Sequence, residues 1–172
     1  PIFAKVLPRL GDTERVALEA GTVWWDADLF SGMPEWQKLL DFKPQPLSAE
    51  EQAFLDGPVN DFCRAIDDWE VYQQRDLSPE VWALIRKHRL FGMIIPRQYG
   101  GLGFSAIAQS RIITRISSRS ITAAVTVMVP NSLGPGELLL HYGSEAQKQR
   151  YLKRLADGEE IPCFALTGPE AG

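Results

Sequence analysis

Cysteine and histidine are scarce in this sequence, with two of each among 172 residues. Cys63 and Cys163 lie far apart and match neither a CxxC pair nor the spacing of a zinc site. His88 and His141 have no acidic or cysteine partners at ligand spacing, so they read as surface or helix-cap residues and no metal is expected. Cys63 falls in a helical apolar pattern and Cys163 in a strand pattern. Both are expected as small buried hydrophobes, a usage that suits a reducing compartment. No stretch reaches the ~20 apolar residues of a membrane-spanning helix, and no signal peptide is recognised. Excess positive charge is also lacking. A net charge of -4 and a pI near 5.2 argue against a general nucleic-acid-binding surface. Lys148, Arg150, Lys153 and Arg154 do cluster, but Glu145 and Asp157 share their helical pattern, which makes a solvated face.

What is present is an ordinary globular balance, 45% hydrophobic and 23% charged, in a chain long enough for one domain with a substantial core. Residues 1–47 are broken up and read as an extension. A short helix is expected from Thr13 to Ala20, ended by Gly21, and another from Pro34 to Phe42, begun by its proline. Trp24, Trp25, Phe30 and Trp36 supply large apolar area here with little periodicity. They either clamp the segment onto a domain surface or dock it to a partner or a membrane face. Lys43-Pro-Gln-Pro46 reads as a linker.

From Ser48 the pattern is helical. Ser48 and Glu51 form a capping box, in which each side chain satisfies the other residue's free backbone N–H. Leu55, Val59, Phe62, Ile66 and Trp69 then recur every three or four residues as one buried stripe, which Pro58 should kink near Gly57. Ser78-Pro79 starts a helix to about Leu90 with Trp82, Leu84 and Ile85 inward. Between Phe91 and Gly103, Pro96 stops the helix, and Gly100, Gly101 and Gly103 permit positive φ. The Gly100–Gly103 stretch lacks the strand and helix that a phosphate-cradling loop needs. Ser105 starts a helix to about Ser117.

Residues 121–129 are ambiguous: their Val, Ile and Thr content favours a strand, and their lack of alternation suits a buried helix. Gly134-Pro-Gly136 interrupts a short helical piece over 131–142. Ser144 and Gln147 make a second capping box, opening an amphipathic helix with Tyr151, Leu152 and Leu155 inward and Gly158 as its stop. Ile161 to Thr167 reads as a strand. A single strand needs a neighbour for its backbone groups, so its sheet is expected beyond Gly172. The pairs Glu50-Glu51, Asp67-Asp68 and Glu159-Glu160 point to different helix faces and do not converge on one site.

Three blocks, Tyr99-Gly-Gly-Leu-Gly103 after Ile95-Pro96, Asn131-Ser-Leu-Gly134, and Leu166-Thr-Gly-Pro-Glu-Ala-Gly172, carry a resemblance in their order and spacing. With them the chain resembles the flavin-dependent acyl-CoA dehydrogenases from Ser48 to its end. The resemblance implies a mainly α fold: a helical N-terminal domain over 48–160, with 161–172 opening a truncated middle β domain. It also places a helix at 121–129. Ala17 to Trp25 and Leu29-Phe-Ser-Gly32 look like the extension of the bacterial long-chain members, packed on the helical domain. Those members carry a hydrophobic anchor, which implies peripheral membrane association at the cytoplasmic face of the inner membrane.

The implied activity is FAD-dependent α,β-dehydrogenation of long-chain fatty acyl-CoA to trans-2-enoyl-CoA in fatty-acid β-oxidation. Electrons would pass to an electron-transfer flavoprotein, and a homo-oligomer is expected. The family's catalytic base lies in its C-terminal domain and no acidic residue here matches it. The sequence therefore offers no catalytic residue, and this chain alone is expected to be inactive. Phe164, Leu166 and Thr167 match positions at the flavin ring edge; for Phe164 and Leu166 a plain core-strand role is the other reading. Val125, Thr126, Val129, Pro130 and Leu133 match positions lining the end of the acyl chain, where the valines leave a deeper apolar slot. The alternative is that a Val-rich helix is simply core. Two other functions stay open: an acyl-CoA oxidase of the same superfamily, and a non-catalytic helical docking module.

Overall fold

The computed structural model describes residues 11, 12, 15, 16, 19, 25–132 and 134–163. The chain divides into two compact units, 1–44 and 45–172. In the first, α1 (Asp26–Phe30) and α2 (Trp36–Leu40) are single turns of helix. Trp25 is buried, tilted against Trp36 with ring centroids 5.1 Å apart, and donates its indole N–H to the Glu35 carbonyl at 2.9 Å. The helix expected over 13–20 and the Trp24 side chain lie largely or wholly outside the described residues.

The second unit is mainly α, and among the described residues it contains no strand. Its helices are α3 (Ala49–Phe54), α4 (Asn60–Ala65), α5 (Asp68–Gln74), α6 (Pro79–Lys87), α7 (Ala106–Ser117), α8 (Ile121–Ser132), α9 (Pro135–Tyr142) and α10 (Glu145–Ala156). Pro58 brings no N–H to the helical ladder. Instead of kinking, the chain widens into a π turn over Leu55–Val59, and the side-chain amide of Asn60 donates to the Asp56 carbonyl at 2.9 Å.

The expected stripe holds for Val59, Phe62 and Ile66, which are fully buried, but not for Trp69, which is 69% exposed. Ile66 turns into extended conformation and Asp67 caps a new helix, so the 3.6-residue phase is lost before Trp69. Trp69 stacks instead on exposed Tyr72 at 5.5 Å. Cys63 is buried as expected, whereas Cys163 is exposed: Ile161–Cys163 has no regular structure to turn it inward. The remainder of the expected strand lies outside the described residues.

One core joins the inner faces of α4, α6, α7 and α8 around Phe62, Ile85, Phe91, Ile112 and Val127. A smaller cluster joins Ile95 and Tyr99 to Leu152, Leu155 and Ala156 of α10. Between the two runs the connection 90–104, which has no α-helix but two 3-10 turns, Leu90–Gly92 and Arg97–Tyr99. Its N–H groups of Leu102, Gly103 and Phe104 donate to the carbonyls of Gly92, Ile95 and Met93 at 2.8, 2.9 and 2.7 Å. Gly100 and Gly103 do take positive φ, but Gly101 does not. Gly101 is required because a Cβ there would lie 2.0 Å from the Ile95 carbonyl oxygen. The helix before this connection ends at Lys87, with His88 as its C-cap, three residues short of the expected end; Arg89 then adopts positive φ.

Glu51 fastens two helix starts at once. One carboxylate oxygen accepts the Ser48 N–H at 2.8 Å, closing the capping box, and the other accepts the Ser105 N–H at 2.7 Å, at the N-cap of α7. Those backbone bonds, first from Ser105 and then from Ser48, hold its pKa down at about 2. The charged form is therefore tied to the folded state. Its contribution is complete above the ordinary carboxylate range and is lost as pH falls toward 2. Glu51→Gln should lower unfolding free energy at pH 7 by about 2 kcal/mol, the scale of hydrogen bonds to a charged group. Urea unfolding at a series of pH values should show that difference shrinking from about pH 4.5 downward.

Candidate functional site: the outward face of α8

The helix α8 is apolar along most of its length, and the structure separates its two faces. Buried Ser120 opens it, its hydroxyl accepting the Ala123 N–H at 3.4 Å. Ala123, Ala124, Val127, Pro130 and Asn131 turn inward and are buried. Val125, at 46% exposed, lies on the other face with half-buried Thr126 and Val129. Thr126 sends its hydroxyl back to the Thr122 carbonyl at 2.8 Å, so its polar atom is spent on the helix and its methyl is left to the surface. Pro130 has no N–H to return to the Thr126 carbonyl, and the helix ends two residues later.

The end of α8 is held by Asn131, which is 1% exposed. Its amide donates to the Leu90 carbonyl at 2.7 Å and to the Val127 carbonyl at 2.8 Å, and its oxygen accepts the Ile94 N–H at 3.3 Å. This residue fixes α8 against the buried connection, and with it the direction in which the valine face looks. Gly134 then allows the turn into α9, since a Cβ there would sit 2.4 Å from the Val129 carbonyl oxygen.

The pattern described as the acyl-CoA dehydrogenase N-terminal domain matches residues 48–159. The chain belongs to the acyl-CoA dehydrogenase family. An acyl-CoA dehydrogenase of Bacillus subtilis is 33% identical over 126 residues, covering 72% of this chain and 33% of that protein. The human mitochondrial very long-chain specific acyl-CoA dehydrogenase is 29% identical over 133 residues, 75% of this chain and 20% of that protein. Among solved structures, a chain reported under the electron transferring flavoprotein of Acidaminococcus fermentans superposes with a TM-score of 0.63. It does so at 22% identity over 76% of this chain and 34% of that one, which shows a shared fold alone. This family member thus spans about a third of the length of its Bacillus relative and a fifth of the human one.

Of the residues singled out in the sequence, the structure brings Val125, Thr126 and Val129 onto one face and turns Pro130 inward. Leu133, Phe164, Leu166 and Thr167 lie outside the described residues. His88 is half-buried against the Phe54 ring, and burial, then Lys87, pushes its pKa down. His141 is exposed, 4.0 Å from Glu137. Among the described residues no group of histidine, cysteine and acidic side chains could hold a metal ion, and no helix is long and apolar enough to cross a membrane. Sequence reasoning missed what Asn131 does, although it quoted the residue as part of a block. An asparagine inside an otherwise apolar run was the available signal, since a buried amide must find partners.

The two faces of α8 should respond differently to truncation. Val127→Ala, at a fully buried site, should cost about 1.5–3 kcal/mol of stability, and Val125→Ala under about 0.5 kcal/mol. Equilibrium denaturation of the two variants checks this.

Proposed function

We propose that this chain forms the helical wall of a flavoenzyme that α,β-dehydrogenates long-chain acyl-CoA to trans-2-enoyl-CoA in fatty-acid β-oxidation. The observation that carries the reading is the outward apolar face of α8, in a chain whose residues 48–159 match the family's N-terminal domain. An acyl tail laid along that face would bury its methylenes against Val125, Val129 and the Thr126 methyl. Each methylene removed from water contributes about 0.8 kcal/mol. A wall of valines with no charge projecting from it favours length over shortness. The name of the human relative, very long-chain specific, is in keeping with this preference.

FAD, when bound, supplies the hydride acceptor of such a reaction. Among the described residues no buried side-chain nitrogen or oxygen lacks a hydrogen-bond partner, so they present no vacant polar cradle for it. Its proposed contacts, Phe164, Leu166 and Thr167, lie outside them. The role of the described residues is to bind and orient the tail and to keep water from it. No acidic residue of this chain is assigned as the base. An electron-transfer flavoprotein as acceptor, assembly as a homo-oligomer, and work at the cytoplasmic face of a bacterial inner membrane complete the proposal.

In the complete enzyme Val129→Glu should move the optimum to shorter acyl-CoA substrates. It should cut kcat/KM for a sixteen-carbon chain at least tenfold, because a carboxylate or its water would occupy the slot. An unchanged chain-length profile across a substrate series would remove α8 from the pocket.

A further inference from the structure

The valine face of α8 continues toward its N-terminus through Thr122, one turn before Val125 and Thr126. There it meets a solvent-open cavity of about 540 Å³ lined by Val71, Tyr72, Gln73, Arg75 and Thr122, of which only Val71 is buried. From Val129 back to Thr122 is about 10 Å along the helix axis. The cavity differs in chemistry from the face that leads to it. Val71 gives it an apolar floor, while Tyr72, Gln73, Arg75 and Thr122 each carry a hydrogen-bond donor. No acidic residue lines it.

Arg75 and its neighbours shape the edge of the cavity. Arg75 is the C-cap of α5 and adopts a left-handed conformation, φ 57°, which is uncommon outside glycine and asparagine. No hydrogen bond or ion pair joins its guanidinium to another described residue. The nearest carboxylate in sequence, Asp76, accepts the Leu77 N–H at 2.7 Å and the Trp82 indole N–H at 3.2 Å, both at Oδ1, and makes no ion pair with Arg75. Tyr72 is backed by its stack on Trp69, and Gln74 is tied to Glu70 at 2.7 Å, so the cavity's edge is braced from outside.

We infer that this cavity receives the far end of a long acyl chain when that end carries a negative charge, as in ω-carboxy fatty acyl groups. Arg75 supplies the cation, and Gln73 and Thr122 supply neutral donors. This rests on the proposed reading of α8 as the acyl wall and extends it from chain length to the chemistry of the chain's terminus. A purely apolar end would leave the donors of the cavity to water, whereas a carboxylate pairs with them.

The test uses the complete flavoenzyme with hexadecanoyl-CoA and its ω-carboxy counterpart, comparing wild type with Arg75→Gln and Arg75→Lys. Arg75→Gln should lower kcat/KM for the ω-carboxy substrate roughly fivefold, the scale of an ion pair open to solvent. It should leave hexadecanoyl-CoA within about twofold, and Arg75→Lys should restore most of the loss. Added salt should reduce the difference. If both substrates fall together, or the ratio between them does not move, the inference is overturned while the acyl wall stands. If wild type turns over neither substrate, the proposed function itself has failed. Circular dichroism of each variant separates loss of fold from loss of recognition, since Arg75 is exposed and its replacement by lysine keeps the charge.

Discussion

A stretch without α-helix, residues 90–104, runs through the middle of a helical domain, and the domain depends on keeping its polar groups paired. Leu90, Phe91, Met93 and Ile95 are essentially inaccessible to water. An unpaired N–H or carbonyl there would cost as much as a lost hydrogen bond. The connection meets the demand partly within itself, through the bonds from Leu102, Gly103 and Phe104 back to Gly92, Ile95 and Met93. Asn131 adds a bond at the Leu90 carbonyl and another at the Ile94 N–H. Helices α6, α8 and α10 all pack on this segment. Its geometry therefore sets theirs, and the glycine-rich composition follows from the closeness of the strands of chain. Gly92 lies so near Ala156 that a Cβ would come within 2.7 Å of that residue's own Cβ.

The polar ties of the second unit share a design in which one side chain serves two elements. Glu51 holds the starts of α3 and α7, and Arg119 gives two hydrogen bonds to the Ile66 carbonyl, where α4 has already ended. Tyr99 reaches the Glu145 carboxylate in the first turn of α10 at 2.9 Å. These contacts span 46 to 54 residues of sequence, so each closes a long loop that the apolar core alone would position less narrowly.

What was legible in the sequence was whatever depends on near neighbours. Both capping boxes are present, as are the starts at Ser78 and Ser105. These motifs need only three or four residues to be recognised. What failed needed knowledge of where the chain turns. Trp69 kept the spacing of the stripe and lost its phase, because one extended residue at Ile66 rotates everything after it. Gly101 is expected from the sequence to need positive φ, but its constraint is the Ile95 carbonyl, six residues earlier in sequence and adjacent in space. The second role of Glu51 was illegible, since nothing around Ser48 indicates that Ser105 will arrive beside it.

The candidate site sits between these cases. Residues 121–132 are apolar on nearly every side, so periodicity could not choose between strand and helix, and only the family resemblance did. That uniformity carries information of its own. A helix with a single buried face shows a polar face to water, whereas α8 offers there only Thr122 and Thr126 beside exposed Val125 and Ile121. Leaving about half of a valine and two thirds of an isoleucine in water forgoes burial on each. Polar replacements on that face would relieve this cost without touching Val127 or Asn131. Under the proposed reading, the outward residues serve an apolar occupant rather than the stability of the domain that carries them. A fatty chain suits that reading, because it can be buried along the two turns from Thr122 to Val129 without asking for a hydrogen bond.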